Sequence, residues 1–287
     1  MKFKVVGSKN VPLTEDKVVK FDGQTYPNFG WCVIMCGGPG MGKSTVYKKL
    51  VPINAKVFDV DALKTFTLKT SEIDDNVITM RDGTQYNLND LGIEAPYNLS
   101  NDKFTSFIHD KTRPLAKKVR KNVYGTVDRS DKDRLPNVLF DITGSNINDF
   151  VDIIDEMGDK GYKIAIVCVL GDVEQAADQN AQRPRKIQND LLYSLHKDVL
   201  HSIENLIGDR KLLAKIDSVW VVINFKYDTK DPNDVRRYIE KANVYQIKTV
   251  DDIVDLPKRV ERTLRDMRKS VNTYFANKNN DNNDDNN

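Results

Sequence analysis

Gly37-Gly38-Pro39-Gly40-Met41-Gly42-Lys43-Ser44 fits G-x-x-x-x-G-K-[ST], and its flanks decide the fold. It follows the apolar run Trp31-Cys32-Val33-Ile34-Met35-Cys36 and leads into the helix-compatible stretch Ser44-Thr45-Val46-Tyr47-Lys48-Lys49-Leu50. Strand, glycine-rich turn and helix start give the pattern its meaning as a Walker A phosphate loop, for which a chance match is on the order of one in a hundred. Glycines let backbone N–H groups converge on a phosphate, and the following helix adds its positive end. Gly38, Pro39, Gly40, Met41, Gly42, Lys43, Ser44 and Thr45 are thereby assigned to a nucleoside triphosphate, taken as ATP. In such loops the lysine reaches the β- and γ-phosphates and the hydroxyl ligates Mg²⁺, which gives Lys43 and Ser44 those roles.

The chain has 287 residues, room for one large α/β domain or two small ones. With 44 basic and 42 acidic side chains, the net charge of +2 selects no partner class. Cys32, Cys36 and Cys168 lie in apolar runs without a C-x-x-C or nearby His, so they are expected to be reduced, buried thiols. No apolar stretch reaches membrane-spanning length and Met1-Lys2-Phe3-Lys4 lacks a signal-peptide core, so a cytoplasmic protein without membrane partners is expected.

Five apolar runs, Trp31–Cys36, Lys56–Phe58, Val138–Phe140, Ile164–Leu170 and Val219–Phe225, alternate with helical patterns. That alternation predicts an open, about five-stranded parallel sheet flanked by helices. Ile147–Met157 and Ile187–Ile207 read as helices, the second with a stripe of Leu191, Leu195, Val199, Ile203 and Leu206. A basic amphipathic helix is expected over about Val250 to Phe275. Residues 1–30 suggest a β-hairpin extension packed on the sheet edge. Within a core domain spanning 31–278, residues 70–100 suggest a hairpin insertion and about 172–190 a lid. The Asn/Asp-only tail Asn279–Asn287 is expected to be disordered.

Around the loop, Lys56-Val57-Phe58-Asp59-Val60-Asp61-Ala62-Leu63-Lys64 brings Asp61 to the sheet's C-terminal edge, where ligands bind in open α/β sheets. A carboxylate there can accept the proton of an attacking hydroxyl, although a helix N-cap would suit Asp61 equally. Asp59 sits further back. Val138-Leu139-Phe140-Asp141-Ile142-Thr143 ends the third strand; Asp141 can hold Mg²⁺ through water or bind an acceptor, and Thr143 can donate to it. Arg183 and Arg185, just before a long helix, fit a lid that neutralises charge developing during phosphoryl transfer. His196 follows on that helix, where a lone His is commonly structural. The basic run Lys111–Lys121 can contact a nucleic-acid backbone, or be a solvated helix face.

From about residue 31 to 225 the chain resembles the zeta-toxin and polynucleotide-kinase group of P-loop kinases. Val57–Lys64 is similar to the segment that carries the group's catalytic aspartate, which puts that role on Asp61 with Lys64 beside it. Leu139–Gly144 resembles its acceptor-contacting strand end, with Asp141 where Glu is common and Ile142 where Gly is common. Arg183-x-Arg185-x-Ile187, then Leu191, His196 and Val199, resembles its lid and following helix. The resemblance implies ATP, Mg²⁺ and phosphorylation of a hydroxyl, with Lys43, Asp61, Arg183 and Arg185 catalytic. Asp61, Lys64, Asp141 and Thr143 would bind the acceptor, and Ser44 and Asp141 the metal. Acceptors in the group include 5′-hydroxyl ends and UDP-N-acetylglucosamine, and related kinases acting on modified DNA bases are conceivable. A nucleotide or nucleic-acid acceptor is favoured by the basic run, the basic C-terminal helix and the insertion. The competing class is a P-loop ATPase switch, but Asp141 is followed by Ile142 and not by the glutamate such a strand would carry.

Overall fold

A computed structural model describes residues 18–21, 24–27, 30–50, 55–126, 137–183, 186–224, 243–249 and 255–284. Strands β1 (Val18–Phe21) and β2 (Gln24–Pro27) pair antiparallel, as expected of the N-terminal hairpin, but form a two-stranded sheet of their own. Next come β3 (Trp31–Cys36), helix α1 (Lys43–Leu50), β4 (Lys56–Asp59) and α2 (Val60–Lys69). The insertion follows as β5 (Glu72–Asp74), β6 (Val77–Thr79) and β7 (Gln85–Asn87), then α3 (Asp102–Thr126). The chain continues through β8 (Val138–Asp141), α4 (Ile147–Asp159), β9 (Lys163–Gly171), α5 (Val173–Ala181), α6 (Asn189–Gly208) and α7 (Arg210–Ala214). It ends with β10 (Ser218–Asn224), β11 (Asn243–Lys248) and a last helix, α8 (Lys258–Asp284).

The main sheet has six strands in the order β11-β10-β9-β3-β8-β4. The five expected strands run parallel, and β3, β8 and β9 are almost wholly buried, as their unbroken apolar runs require. The sixth, β11, corrects the expected five. It pairs antiparallel with β10 at the edge, and its mixed sequence Asn-Val-Tyr-Gln-Ile-Lys carries no continuous apolar signal. Because β4 lies beyond β8, the chain leaving β3 crosses over one strand position. The chain leaving β8 crosses back over β3 to β9. Connections therefore diverge at the carboxyl end of β3, opening a crevice where the glycine-rich turn begins.

Local sequence explains the helices that fix this crevice. Asn146 caps α4 by accepting from the Asn148 N–H, and Phe150, Ile153, Ile154 and Met157 bury one face at helical spacing. Asp172 caps α5 in the same way, so 172–181, expected within the lid, are instead a helix with Val173 and Ala176 in the core. In α6 the buried face is Leu192, His196, Val199, Ile203 and Leu206. Leu191 and Leu195, expected in that stripe, line the crevice. Helix α8 packs on the sheet and on α6 through Val260, Leu264, Met267 and Val271. Its Tyr274 ring stacks on Tyr193 at 3.8 Å and donates its hydroxyl to Asp190 at 2.7 Å. Arg268 and Lys278 pair with Glu204 and Asp190, so part of this helix's basic character is spent within the fold. α8 starts at Lys258, later than expected, and runs through Asp284 into the Asn/Asp stretch expected to be disordered.

The insertion is a three-stranded antiparallel meander, not the expected simple hairpin, since Glu72–Asp74 adds a strand. It closes over a second apolar cluster of Ile78, Leu88, Ile93, Phe104 and Ile108, separate from the main core. The first half of α3 supplies Phe104 and Ile108, so the meander and the helix stand or fall together. Phe104→Ala is expected to cost about 3–5 kcal/mol and to raise amide exchange across residues 72–108 while β3 and β9 stay protected. Equal loss of protection in the sheet would show that the two clusters fold as one unit.

Candidate functional site

The phosphate loop is held from four sides. The Gly37 N–H donates to the Thr143 carbonyl at 3.1 Å, tying the loop to the segment after β8. The Asn224 amide at the end of β10 donates to the Met41 carbonyl at 2.8 Å. Gly40 has φ +83°, and a Cβ there would lie 2.9 Å from the Cα of Ala176 on α5. From α6, His196 Nε2 lies 3.0 Å from the Pro39 carbonyl oxygen. That oxygen only accepts, so Nε2 carries the proton.

Lys43 opens α1 with its ammonium folded onto the loop, donating to the Gly37 carbonyl at 2.9 Å. Its Nζ stands 3.9 Å from Asp141 Oδ1, and both side chains are only about one-fifth exposed, at 18% and 23%. Positive and negative charge thus face each other across the mouth of the loop, as expected where a polyanion and a cation enter together.

Loop, strand ends and α3 enclose one cavity of about 420 Å³. Lining it are Gly38 to Ser44, Asp59, Lys64, Asp141, Thr143, Arg183 and, from α3, Thr105 and His109. Lys43, Ser44, Lys64, Asp141, Thr143 and Arg183 therefore share a single chamber. Thr45 lies on α1 one residue further on. Asp61 is in the first turn of α2, since β4 ends at Asp59 and the helix begins at Val60; it is neither at a strand end nor an N-cap. Its side chain, and Arg185 altogether, lie outside the described residues, as do four side chains of the basic run: Arg113, Lys117, Arg120 and Lys121. Within that run Lys111 sits 3.9 Å above the Tyr86 ring, holding α3 against the meander.

Three contributors were not singled out from sequence. Asp59 was ranked behind Asp61, and its carboxylate lines the cavity, while the Asp61 side chain lies outside the described residues. Thr105 and His109 are one turn apart on α3, and only the i, i+4 spacing could have paired them once α3 was known to face the loop. Thr105 is buried and donates to the Leu99 carbonyl at 2.9 Å.

Mg²⁺ is a hard cation that takes oxygen donors, commonly one or two carboxylates completed by substrate phosphates. Ser44, Asp59 and Asp141 bring such oxygens to the same cavity as the loop, so the residues fit a nucleotide-borne Mg²⁺. Among the described residues no group of three His, Cys, Asp or Glu side chains could hold a metal alone. No described helix is long and apolar enough to cross a membrane.

No protein-family model and no curated protein matches the sequence. Among solved structures, a chain of the AvrRxo1-ORF1:-ORF2 complex with ATP superimposes with a TM-score of 0.51 at 12% identity. The match covers 82% of this chain and 63% of that one, so this chain spans less than two thirds of its neighbour's length. The likeness is one of fold. A structure from the PezAT chromosomal toxin-antitoxin system of Streptococcus pneumoniae aligns over 89% of this chain and 90% of its own, with a TM-score of 0.44 at 12% identity.

Burial pushes the His196 imidazole down to about 4; the Lys43 charge adds to the shift and the Pro39 hydrogen bond opposes it. A His that ionises near 6.5 when unfolded but stays neutral when folded leaves stability intact above that pH. Stability is then lost as pH falls from about 6.5 towards 4. Between pH 7 and 5 the native protein should lose about 2 kcal/mol more than His196→Gln, read from urea unfolding. Equal losses would show that His196 ionises normally in the fold.

Proposed function

We propose that this protein is an ATP- and Mg²⁺-dependent kinase that phosphorylates a hydroxyl of a nucleotide or nucleic-acid substrate, such as a 5′-hydroxyl end or a hydroxymethylated base. The supporting observation is the shared cavity. A triphosphate site and a polar wall of Asp59, Lys64, Thr105, His109 and Thr143 face one chamber, leaving room for an acceptor beside the γ-phosphate. A switch ATPase needs only a water there.

In this mechanism the acceptor oxygen attacks the γ-phosphorus, the γ-phosphate leaves the β-phosphate bridge oxygen, and ADP departs with that bond's electron pair. A carboxylate of the Asp59–Asp61 segment takes the hydroxyl proton. Asp61 is the expected base from the resemblance, and Asp59, two residues before it, lines the cavity. Lys43 leaves the Gly37 carbonyl for the phosphates, and Arg183, with Arg185 beside it in sequence, neutralises charge on the transferring group. Mg²⁺, when bound, screens the phosphate charges; Ser44 and Asp141 would hold it. Lys64 and Thr143 would orient the acceptor.

The test follows label from γ-labelled ATP into a panel of 5′-hydroxyl oligonucleotides, hydroxymethylated DNA, RNA, nucleosides and UDP-sugars. Label in nucleotide or nucleic acid supports the proposal. Label only in UDP-N-acetylglucosamine would make the enzyme toxin-like, and free phosphate alone would make it an ATPase. Lys43→Ala should abolish transfer. Of Asp59→Asn and Asp61→Asn, the variant of the true base should lose at least about 10²-fold in kcat, with ATP affinity retained.

A further inference from the structure

The loop's second glycine has a reason that the phosphate does not supply. Unlike Gly37, Gly40 and Gly42, Gly38 has no positive φ, so its backbone alone would accept a side chain. What forbids one is His196. A Cβ on Gly38 would lie 2.1 Å from Cε1, 2.2 Å from Nδ1 and 2.8 Å from Nε2, a severe overlap with the imidazole ring. The ring lies against the Gly38 Cα while its Nε2–H holds the Pro39 carbonyl. His196 is fully buried, and its Nδ1 makes no hydrogen bond among the described residues.

We propose that His196, as the neutral Nε2–H tautomer, is a positioning residue that presets the phosphate loop through the paired fit of Gly38 and Pro39. The physical case concerns the carbonyl. A peptide oxygen turned towards the cavity would repel a triphosphate, whereas one held by a donor beneath the loop leaves the N–H groups to face the anion. The imidazole ring fills the space beside Gly38 while its Nε2–H reaches the Pro39 carbonyl. Protonation would add a second charge near Lys43, which the burial of His196 resists. An unpartnered Nδ1 is the residual cost of this arrangement, since α6 offers it no donor.

This inference rests on the loop being a triphosphate site. The experiment measures the ATP·Mg²⁺ dissociation constant by calorimetry, with transfer kinetics, for five proteins: native, Gly38→Ala, His196→Phe, His196→Gln and Gly38→Ala/His196→Ala. Native protein that fails to bind ATP would overturn the nucleotide reading itself. Given native binding, Gly38→Ala and His196→Phe should each weaken affinity at least about tenfold. His196→Gln, whose amide nitrogen can replace the Nε2–H donor, should stay within about threefold. The double variant should bind more tightly than Gly38→Ala alone, because removing the ring removes the clash. Equal affinities for all variants, or a double variant no better than Gly38→Ala, would overturn the pairing. A readout needing no variant is the long-range proton–nitrogen NMR spectrum of the native histidines at neutral pH. It should show His196 protonated at Nε2 and bare at Nδ1; the opposite tautomer would overturn the proposal.

Discussion

The turn between β3 and α1 has almost no freedom, and the site depends on that restriction. The turn starts at a buried central strand of the sheet, flanked on both sides by parallel neighbours, and must reverse into a helix within a few residues. Bonds to Thr143, Asn224 and His196 and the close approach of Ala176 hold it from the ends of β8 and β10 and from α6 and α5. Elements far apart in sequence thus shape one loop of main-chain donors. Such preorganisation lets a phosphate be bound without the cost of ordering the chain on arrival.

The same strand order separates the tasks of the site. One wall of the crevice is the loop, rigid because the core is rigid. The other is α3, which stands on the meander's own apolar cluster. The first wall is built for phosphates. The second, carrying Thr105 and His109, rests on a cluster separate from the main core, so substitutions there need not disturb the main core. Lys111 illustrates the division: in the densest basic run of the chain, it lies over Tyr86 of the meander and over Phe107, one turn earlier on α3.

How much of this was legible in the sequence follows from the range of each interaction. The glycine-rich turn and the five buried strands are local signals with fixed spacing, and they led directly to the parallel sheet and the crevice. Asp141, Thr143 and Arg183 were placed by their distance from strand ends, and all line the cavity. What escaped depends on packing. β11 is an edge strand whose residues alternate too weakly to announce themselves, and the start of α2 at Val60, directly after β4, had no apolar signal to mark it. The helix over Val173–Ala181, capped by Asp172, is short and carries only a weak apolar pattern, so it was not read from the sequence. His196 looked like an ordinary helical histidine, because its contact with Pro39 spans 157 residues of sequence. Leu191 and Leu195 fitted the apolar stripe of α6, yet a rotation of one position along the helix turns them to the cavity.

The central claim is that the loop is already in its phosphate-binding shape, and a structure with a non-hydrolysable ATP analogue and Mg²⁺ tests it most directly. The account predicts the triphosphate cradled by residues 37–45, with Lys43 turned from the Gly37 carbonyl to the phosphates. The main chain from Gly37 to Gly42, and its bonds to Thr143, Asn224 and His196, should be unchanged. A nucleotide bound elsewhere, or a loop that refolds around the phosphates and releases the Pro39 carbonyl from His196, would contradict it.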